Sequence, residues 1–392
     1  MFNFAWIKRI PTVAMAVCVL LLGTPDLEAD REQAEKHYKN GQYYMRRGRV
    51  PLARMEWMKA LKADPSFSKA AYDLGGACFL SGELENAEKF WKKSTELDPT
   101  NHKAWDSLGF LFTQKGDFDS ALKYINKAME IAPKYVNAYI NKGFVFASVR
   151  KPDMAIEAWS EAARIDPKSI KAHENLARIY LSIGKEQDSI SQWEKILELN
   201  PKYAFAHYNL GIIHGGKRQM DKAVEYYNKA VELEPKFAAA HNNLAFLYSL
   251  MQKFDLALKH YQAAIEGNPK YFKAYTNLAA LYDQLGKTGK AVESLRSLAK
   301  LTPKDPIIHN NIGFLLSKMG EHEDAIKAYN QSIAIWDKYP NAYYNRAVAY
   351  EKKGQFDKAI ENYSICIKLV PDSPKNQQTQ AKIAELKSKQ KG

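Results

Sequence analysis

The sequence predicts an all-α solenoid of about ten two-helix units followed by one more helix. The first observation is a proline at 34-residue intervals, at Pro65, Pro99, Pro133, Pro167, Pro201, Pro235, Pro269 and Pro303. Asp337 takes the next position and Pro371 resumes the interval, so ten units run over residues 34–373. The second is a small residue in every unit, at Gly41, Gly75, Gly109, Gly143, Ala177, Gly211, Ala245, Ala279, Gly313 and Ala347. The third is the helical spacing of the apolar residues.

The first segment of each unit predicts a helix with one buried face. In the third unit Trp105, Leu108, Gly109 and Phe112 follow the spacing i, i+3, i+4, i+7. Residues at that spacing share one side of a helix, and this side is apolar. The small residue lies where another helix approaches closely.

The second segment of each unit predicts another helix, since Ala121, Ile125 and Ala128 repeat the same logic. A turn separates the two helices, marked by glycine in seven of the ten units: Gly48, Gly82, Gly116, Gly184, Gly286, Gly320 and Gly354. Glycine adopts a left-handed backbone most readily. The recurring proline then ends the second helix, because proline disfavours helical geometry in the residue before it.

These positions resemble the tetratricopeptide repeat family, whose Trp, Leu-Gly, Tyr, Ala, Phe, Ala, Pro pattern is visible in the third unit from Trp105 to Pro133. The resemblance covers residues 34–373. Departures occur at Cys78, His214, Ser189 and Asp337. The resemblance implies a right-handed superhelix whose concave groove is lined by the first helices, and residues 374–392 are expected to form a capping helix and a basic tail.

Residues 1–33 predict a signal peptide or an N-terminal membrane anchor, followed by a short linker. Lys8 and Arg9 precede an uncharged apolar stretch over residues 10–23. As a helix this stretch would span about 21 Å, less than the roughly 30 Å of a bilayer core, which favours a cleaved signal. Acidic residues follow it, so the repeats are expected to be exported in a bacterium, either periplasmic or anchored in the inner membrane facing the periplasm.

Composition argues against several classes of function. The net charge of +13 is spread through mixed-sign helix faces such as Asp221 and Lys222, so no nucleic-acid partner is expected. Cys78 and Cys366 fall in apolar positions and indicate core residues. A local lysine excess lies in the tail, at Lys375, Lys382, Lys387, Lys389 and Lys391. No catalytic constellation and no metal-ligand spacing is present in the sequence, so catalytic residues, metal and cofactor are all predicted as none.

Five histidines share one position of the repeat, at His37, His173, His207, His241 and His309. Neighbouring helices pack about 8–10 Å apart, so these side chains are too far from one another to share a metal. The pattern favours a packing role.

One position predicts a binding function: Asn141, Asn175, Asn209, Asn243, Asn277, Asn311 and Asn345 recur in seven consecutive units. We call them the asparagine column. Each precedes the position of the buried Leu and is expected to face the groove. A similar column in the repeat region of protein O-linked N-acetylglucosamine transferase holds an extended peptide. An amide both donates and accepts, so it can pair with peptide groups without selecting their side chains. The alternative is that the column is inherited helix chemistry.

Aromatic residues near the asparagine column are weaker candidates for apolar contacts with a partner: Phe144, Phe246, Phe314, Tyr208 and Tyr344. The sequence therefore predicts a non-enzymatic scaffold that binds an extended or helical segment of another protein, in envelope assembly or secretion. One alternative is an accessory subunit of a glycosyltransferase or envelope enzyme complex. Another is a cell-wall or anionic-lipid binder acting through the basic tail. Membrane association through residues 1–23 and the oligomeric state are left open.

Overall fold

A computed structural model describes residues 25–390, with side chains from residue 30 onward. The chain divides into two compact units, residues 1–195 and residues 196–392. We call them unit one and unit two. All regular structure in the described range is α-helical. The prediction of an all-α repeat fold is confirmed.

Unit one consists of four complete helix pairs and most of a fifth. The helices are α1 (Pro25–Arg46), α2 (Val50–Ala63), α3 (Ser68–Leu80), α4 (Leu84–Leu97), α5 (His102–Lys115), α6 (Phe118–Ile131), α7 (Val136–Ser148), α8 (Pro152–Ile165), α9 (Ile170–Ser182) and α10 (Glu186–Leu199). The division between the units falls within α10. First helices of neighbouring pairs contact each other directly, as α5 does α7 and α7 does α9.

Unit two contains five helix pairs and one final helix. The helices are α11 (Ala204–Gly216), α12 (Met220–Leu233), α13 (Ala238–Leu250), α14 (Phe254–Gly267), α15 (Phe272–Gln284), α16 (Thr288–Leu301), α17 (Pro306–Lys318), α18 (His322–Ile335), α19 (Pro340–Lys352), α20 (Phe356–Leu369) and α21 (Asn376–Lys389). Here too neighbouring first helices make contact, α13 with α15 and α17 with α19.

Each helix pair is joined by a turn with one left-handed residue. The seven glycines predicted for this turn have φ between 69° and 84°. The other three turns reach the same geometry without glycine, at Arg150, Arg218 and Gln252, with φ of 57° to 59°. A side chain in this region is strained by about 1 kcal/mol, so the turn is imposed by the packing of the two helices and not only by glycine.

The small residue of each helix pair lies on the first helix, against the second helix of the same pair. A Cβ atom on Gly143 would lie 2.3 Å from Nε1 of Trp159, too close for any real contact. The indole of Trp159 also donates a hydrogen bond to the carbonyl of Ile140 at 3.0 Å. Gly41 and Gly75 face Trp57 and Trp91 in the same way. The position is therefore small because the neighbouring ring occupies the space of a side chain.

The first helix begins before the first predicted repeat. The sequence placed a signal peptide or anchor and a short linker in residues 1–33, and α1 begins within this range, at Pro25. Proline is well tolerated in the first turn of a helix, and the acidic residues Asp26, Glu28 and Asp30 suit its positive end. The predicted signal peptide or anchor over residues 1–23 lies outside the described residues. Among the helices that the structure does describe, none combines the length and the apolar character needed to cross a bilayer.

The C-terminal helix α21 covers the end of the last helix pair, as predicted. Leu386 is fully buried and packs in one cluster with Ala347, Ala359 and Tyr363. Ile383 packs against the same cluster, whereas Ala381 and Ala384 are exposed. The apolar contact of this helix is therefore narrow.

Candidate functional site: the first-helix face

All seven residues of the asparagine column lie on first helices. Five of them directly precede a buried Leu or Ile, whereas Asn141 and Asn345 precede Lys142 and Arg346. Six of the seven are half-buried, and Asn175 is only 8% exposed. The column thus runs along the side where neighbouring first helices meet. We call this side the first-helix face of each unit.

Three amides of the column bridge to the preceding helix pair. Asn141 Nδ2 donates to Asp106 Oδ1 at 2.9 Å, a residue 35 positions earlier. The same 35-residue separation joins two further pairs, Asn277 to Asn242 at 2.9 Å and Asn345 to Asn310 at 3.0 Å. One of the two N–H donors of each amide is therefore used within the protein. Its oxygen is not needed for that bond and can accept from a partner's peptide N–H.

Asn242 and Asn310 are the residues that sequence reasoning missed. Both are buried, and each passes a hydrogen bond on to the next residue: Asn242 to Asn243 at 3.2 Å and Asn310 to Asn311 at 3.3 Å. Two equivalent hydrogen-bond networks result, 68 residues apart. The sequence pattern that could have predicted them is a His-Asn-Asn triplet, present at residues 241–243 and again at 309–311.

The column is not uniform, because four of its seven members lack the bridge: Asn175, Asn209, Asn243 and Asn311. The residue 35 positions before Asn175 is Ile140, which has no side-chain acceptor. Asn175 Nδ2 is buried with no hydrogen-bond partner among the described residues. Asn209 instead donates to the carbonyl of Phe205, one turn back in its own helix, at 2.7 Å. The bridge thus depends on which side chain the preceding pair supplies.

Asp106 is the one acidic residue among the acceptors of these bridges. It is 5% exposed, and this burial raises its pKa to about 6, although the hydrogen bond from Asn141 and the charge of Lys171 act in the opposite direction. A buried carboxyl with a raised pKa weakens the folded state once it ionises. The free-energy cost of ionising Asp106 in the folded protein can be measured by replacing this residue.

The predicted apolar residues divide into two classes. Phe246, Phe314 and Tyr344 are exposed on first helices of unit two, the first two by 51% and 53%. Phe144 and Tyr208 are half-buried instead. The ring of Phe144 packs edge-on to Trp159, and that of Tyr208 packs against Tyr227. Phe144 and Tyr208 therefore contribute to core packing, because their rings fill space between helices, and they offer less surface to a partner.

The first-helix face of unit one contains a cavity of about 440 Å³. Gly76 leaves it open, since a Cβ there would have no neighbour within 4 Å. Burial raises the pKa of Asp73 at its wall. The remaining lining is mostly apolar and aromatic: Met45, Trp57, Tyr72, Ala77, Phe79, Leu80 and Trp91, with Gln42 and Arg46.

The histidine positions hold turns together. His173 and His241 each donate from Nε2 to the carbonyl of a proline six residues earlier, Pro167 and Pro235, at 3.1 Å. His207 and His309 make the same bond, while His37 pairs with Glu56 at 2.7 Å. This geometry supports the predicted packing role. In the described part of the chain no group of three His, Cys, Asp or Glu side chains could hold a metal ion.

The basic tail is partly neutralised by its surroundings. Lys382 lies 2.8 Å from Glu351, and Lys389 lies 2.6 Å from Glu385. Lys391 lies outside the described residues. Two of the lysines counted from the sequence are therefore engaged within the protein.

Stacked two-helix units with an open first-helix face define a helical-repeat protein of the kind that binds other proteins. Sequence models described as "Tetratricopeptide repeat" match residues 38–102, 102–135, 170–203, 204–237, 226–259, 260–293 and 305–372. The chain belongs to the tetratricopeptide repeat family. Repeats of this family are generally non-enzymatic scaffolds for protein partners.

Several solved structures are similar to parts of the chain. MamA is 28% identical over 42% of this chain and 95% of its own, with a TM-score of 0.38. A PilF from Pseudomonas aeruginosa is 18% identical over 55% of this chain and 99% of its own, with a TM-score of 0.48. YrrB, described as a TPR protein with an unusual peptide-binding site, is 22% identical over 47% of this chain and 95% of its own, with a TM-score of 0.37. No curated protein matches the sequence significantly. The family assignment therefore rests on the sequence models and the helices.

Proposed function

We propose that this protein is a non-enzymatic scaffold that holds an extended segment of another protein along its first-helix faces. The observation that carries the proposal is the asparagine column, repeated in seven consecutive pairs and placed on one side of the first helices. Amide oxygens that are free of the bridging bonds can accept from peptide N–H groups at regular intervals. This mode of binding recognises backbone and leaves the side chains of the partner to be read by neighbouring residues.

The proposed setting is the assembly or secretion of components of a bacterial envelope. Its support is the basic-then-apolar pattern of residues 1–23, which is typical of export signals. We further propose that the repeats lie in the periplasm, whether or not that segment is retained as an anchor. The partner would then be an envelope protein.

The direct test is affinity capture from a detergent extract of envelopes, comparing the wild type with the triple variant Asn141→Ala, Asn209→Ala, Asn277→Ala. We expect the variant to lose the partners that the wild type captures. A matched control replaces Asn126 and Asn228, which share another position of the repeat and are exposed on second helices. The control should capture as the wild type does.

The bridging bonds make a folding check necessary. Removing Asn141 or Asn277 leaves Asp106 or Asn242 without its donor, so the helix content and melting of the triple variant are compared with those of the wild type. Asn209→Ala alone disturbs only a bond within its own helix and provides a milder variant. Unchanged capture by folded triple and single variants would show that the column is structural only.

A further inference from the structure

The centre of the first-helix face in unit two is uncharged. It consists of the asparagine column, the residue before each asparagine and the residue three positions after it, which helical spacing places side by side. In unit two these are Tyr208, Asn209, Ile212, Asn242, Asn243, Phe246, Thr276, Asn277, Ala280, Asn310, Asn311, Phe314, Tyr344, Asn345 and Val348. We call this set the neutral strip. Not one of its members is ionisable near neutral pH, although the whole chain carries +13.

Five of the fifteen equivalent positions in unit one are charged: Lys39, Asp73, Asp106, Glu174 and Arg178. Glu174 and Arg178 form an ion pair with each other. The two first-helix faces therefore differ in the partner that they suit, because burying an unpaired charge against an apolar surface is strongly unfavourable. The neutral strip favours a partner segment without charges.

The neutral strip contains the same arrangement twice. The sequence His-Asn-Asn-Leu-Ala-Phe at residues 241–246 returns as His-Asn-Asn-Ile-Gly-Phe at residues 309–314. Each copy has a buried asparagine bonded to its neighbour and to the amide of the next pair, and each presents an exposed phenylalanine. Between Phe246 and Phe314, the equivalent position of the intervening pair is Ala280, which is small and also exposed.

This alternation of large, small and large side chains sets a spacing. Neighbouring helices pack about 8–10 Å apart, so positions two pairs apart are separated by roughly 16–20 Å. An extended segment rises about 3.3 Å per residue, so roughly five or six of its residues cover that distance. Of these two spacings only the even one, six, places both side chains on the same side of a strand.

We propose that the neutral strip binds an uncharged, extended segment of a partner protein that carries two bulky apolar side chains about six residues apart. The two apolar side chains pack against Phe246 and Phe314, and the main chain between them pairs with the amide of Asn277. This inference rests on the proposed scaffold function and names the class of segment that unit two selects. Charged residues lie next to the strip: Lys318 pairs with Asp283 at 2.7 Å, and the exposed Lys273 lies one helical turn before Asn277.

The test uses four fluorescent synthetic peptides of about a dozen residues and measures anisotropy with the full chain. The first consists of Ser, Thr and Gly with two leucines six positions apart. The second places the leucines three apart, and the third keeps the six-residue spacing but adds Asp and Lys. The fourth is the chain's own apolar stretch, residues 10–23. We expect the first peptide to bind at least tenfold more tightly than the other three, with little dependence on salt.

Matched variants locate the binding. Phe246→Ser with Phe314→Ser should weaken binding of the first peptide by roughly tenfold or more, since exposed aromatic anchors dominate such contacts. Leu301→Ser removes a similarly exposed apolar side chain, 44% exposed, from the second helix α16 and should leave the affinity unchanged. Both phenylalanines are exposed, so the double variant is expected to fold.

Four results would overturn the inference. They are equal affinity for the charged peptide or for the peptide with the three-residue spacing, unchanged affinity in the double phenylalanine variant, tightest binding of the peptide of residues 10–23, and binding of none of the peptides. The third result would assign the neutral strip to the chain's own segment or to a second copy. Envelope capture that still depends on the asparagine column would show, in any of these cases, that the scaffold function stands while the proposed partner class fails.

Discussion

Asp106 places an ionisable carboxyl at a position where the equivalent bridges of unit two have an uncharged amide. Asn242 and Asn310 occupy the equivalent position and accept the same amide bond at 2.9 and 3.0 Å. The pKa of Asp106 is raised to about 6 in the folded protein, above its ordinary value of 3.8. The folded state therefore holds a proton that the unfolded state releases between these two pH values, so stability falls as the pH rises through this window.

We expect Asp106→Asn to stabilise the protein by roughly 1–3 kcal/mol at pH 8 and to have little effect at pH 4, where Asp106 is protonated in the folded state. Urea unfolding followed by circular dichroism at both pH values measures the difference. The reverse change in unit two, Asn242→Asp, should destabilise at pH 8. A stabilisation of the same size at both pH values would contradict this account of the carboxyl.

At the scale of the helix, the sequence predicted which side of each first helix is buried but not which side chains meet across neighbouring pairs. The interval of 34 residues fixes the order of the elements, and the structure confirms it. The bridges at 35 residues depend on the offset between neighbouring helices, which no local pattern contains. For this reason the sequence did not predict the role of Asn242 and Asn310. Nor did it predict that Asn175 has no acceptor in the preceding pair. The start of α1 at Pro25 was missed because the 34-residue pattern begins only at residue 34 and residues 1–33 were assigned to the signal or anchor and its linker.

At the end of helix α14 a close backbone contact makes glycine more favourable than alanine, although glycine usually destabilises a helix. At Gly267 a Cβ atom would lie 2.7 Å from the carbonyl oxygen of Lys236, in the turn before α13. Backbone cannot move aside as a side-chain end can. We therefore expect Gly267→Ala to destabilise the protein by about 1–3 kcal/mol, although alanine has the higher helix propensity.

Gly216 is the matched control, because it also closes a helix in unit two and a Cβ there would have no neighbour within 4 Å. Gly216→Ala should stabilise the protein by up to about 1 kcal/mol through helix propensity alone. Thermal and urea unfolding of the two variants should thus move in opposite directions. Stabilisation by both changes would mean that the turn at Lys236 is free to shift.

At the scale of the whole molecule, the contacts of the described residues join helices mainly to their sequence neighbours, and several first helices also contact the next first helix. Stability in such a stack is close to a sum of terms from each pair and its neighbours. A local loss should therefore stay local. The end of unit two provides the test, because α21 contacts α20 and buries Leu386 beside Tyr363.

We expect Leu386→Ala to increase amide hydrogen exchange by at least tenfold in α19 and α20 while leaving α11–α14 unchanged, because the lost apolar contact, about 2–4 kcal/mol, belongs only to the last pair. Deleting residues 376–392 should enlarge the effect without extending it, since it also removes the pairing of Lys382 with Glu351. Exchange measured by mass spectrometry resolves the separate helices. Faster exchange spread evenly through unit two would show instead that its pairs unfold together, and the phenylalanine variants of the neutral strip would then have to be judged by their global stability as well as by their affinity.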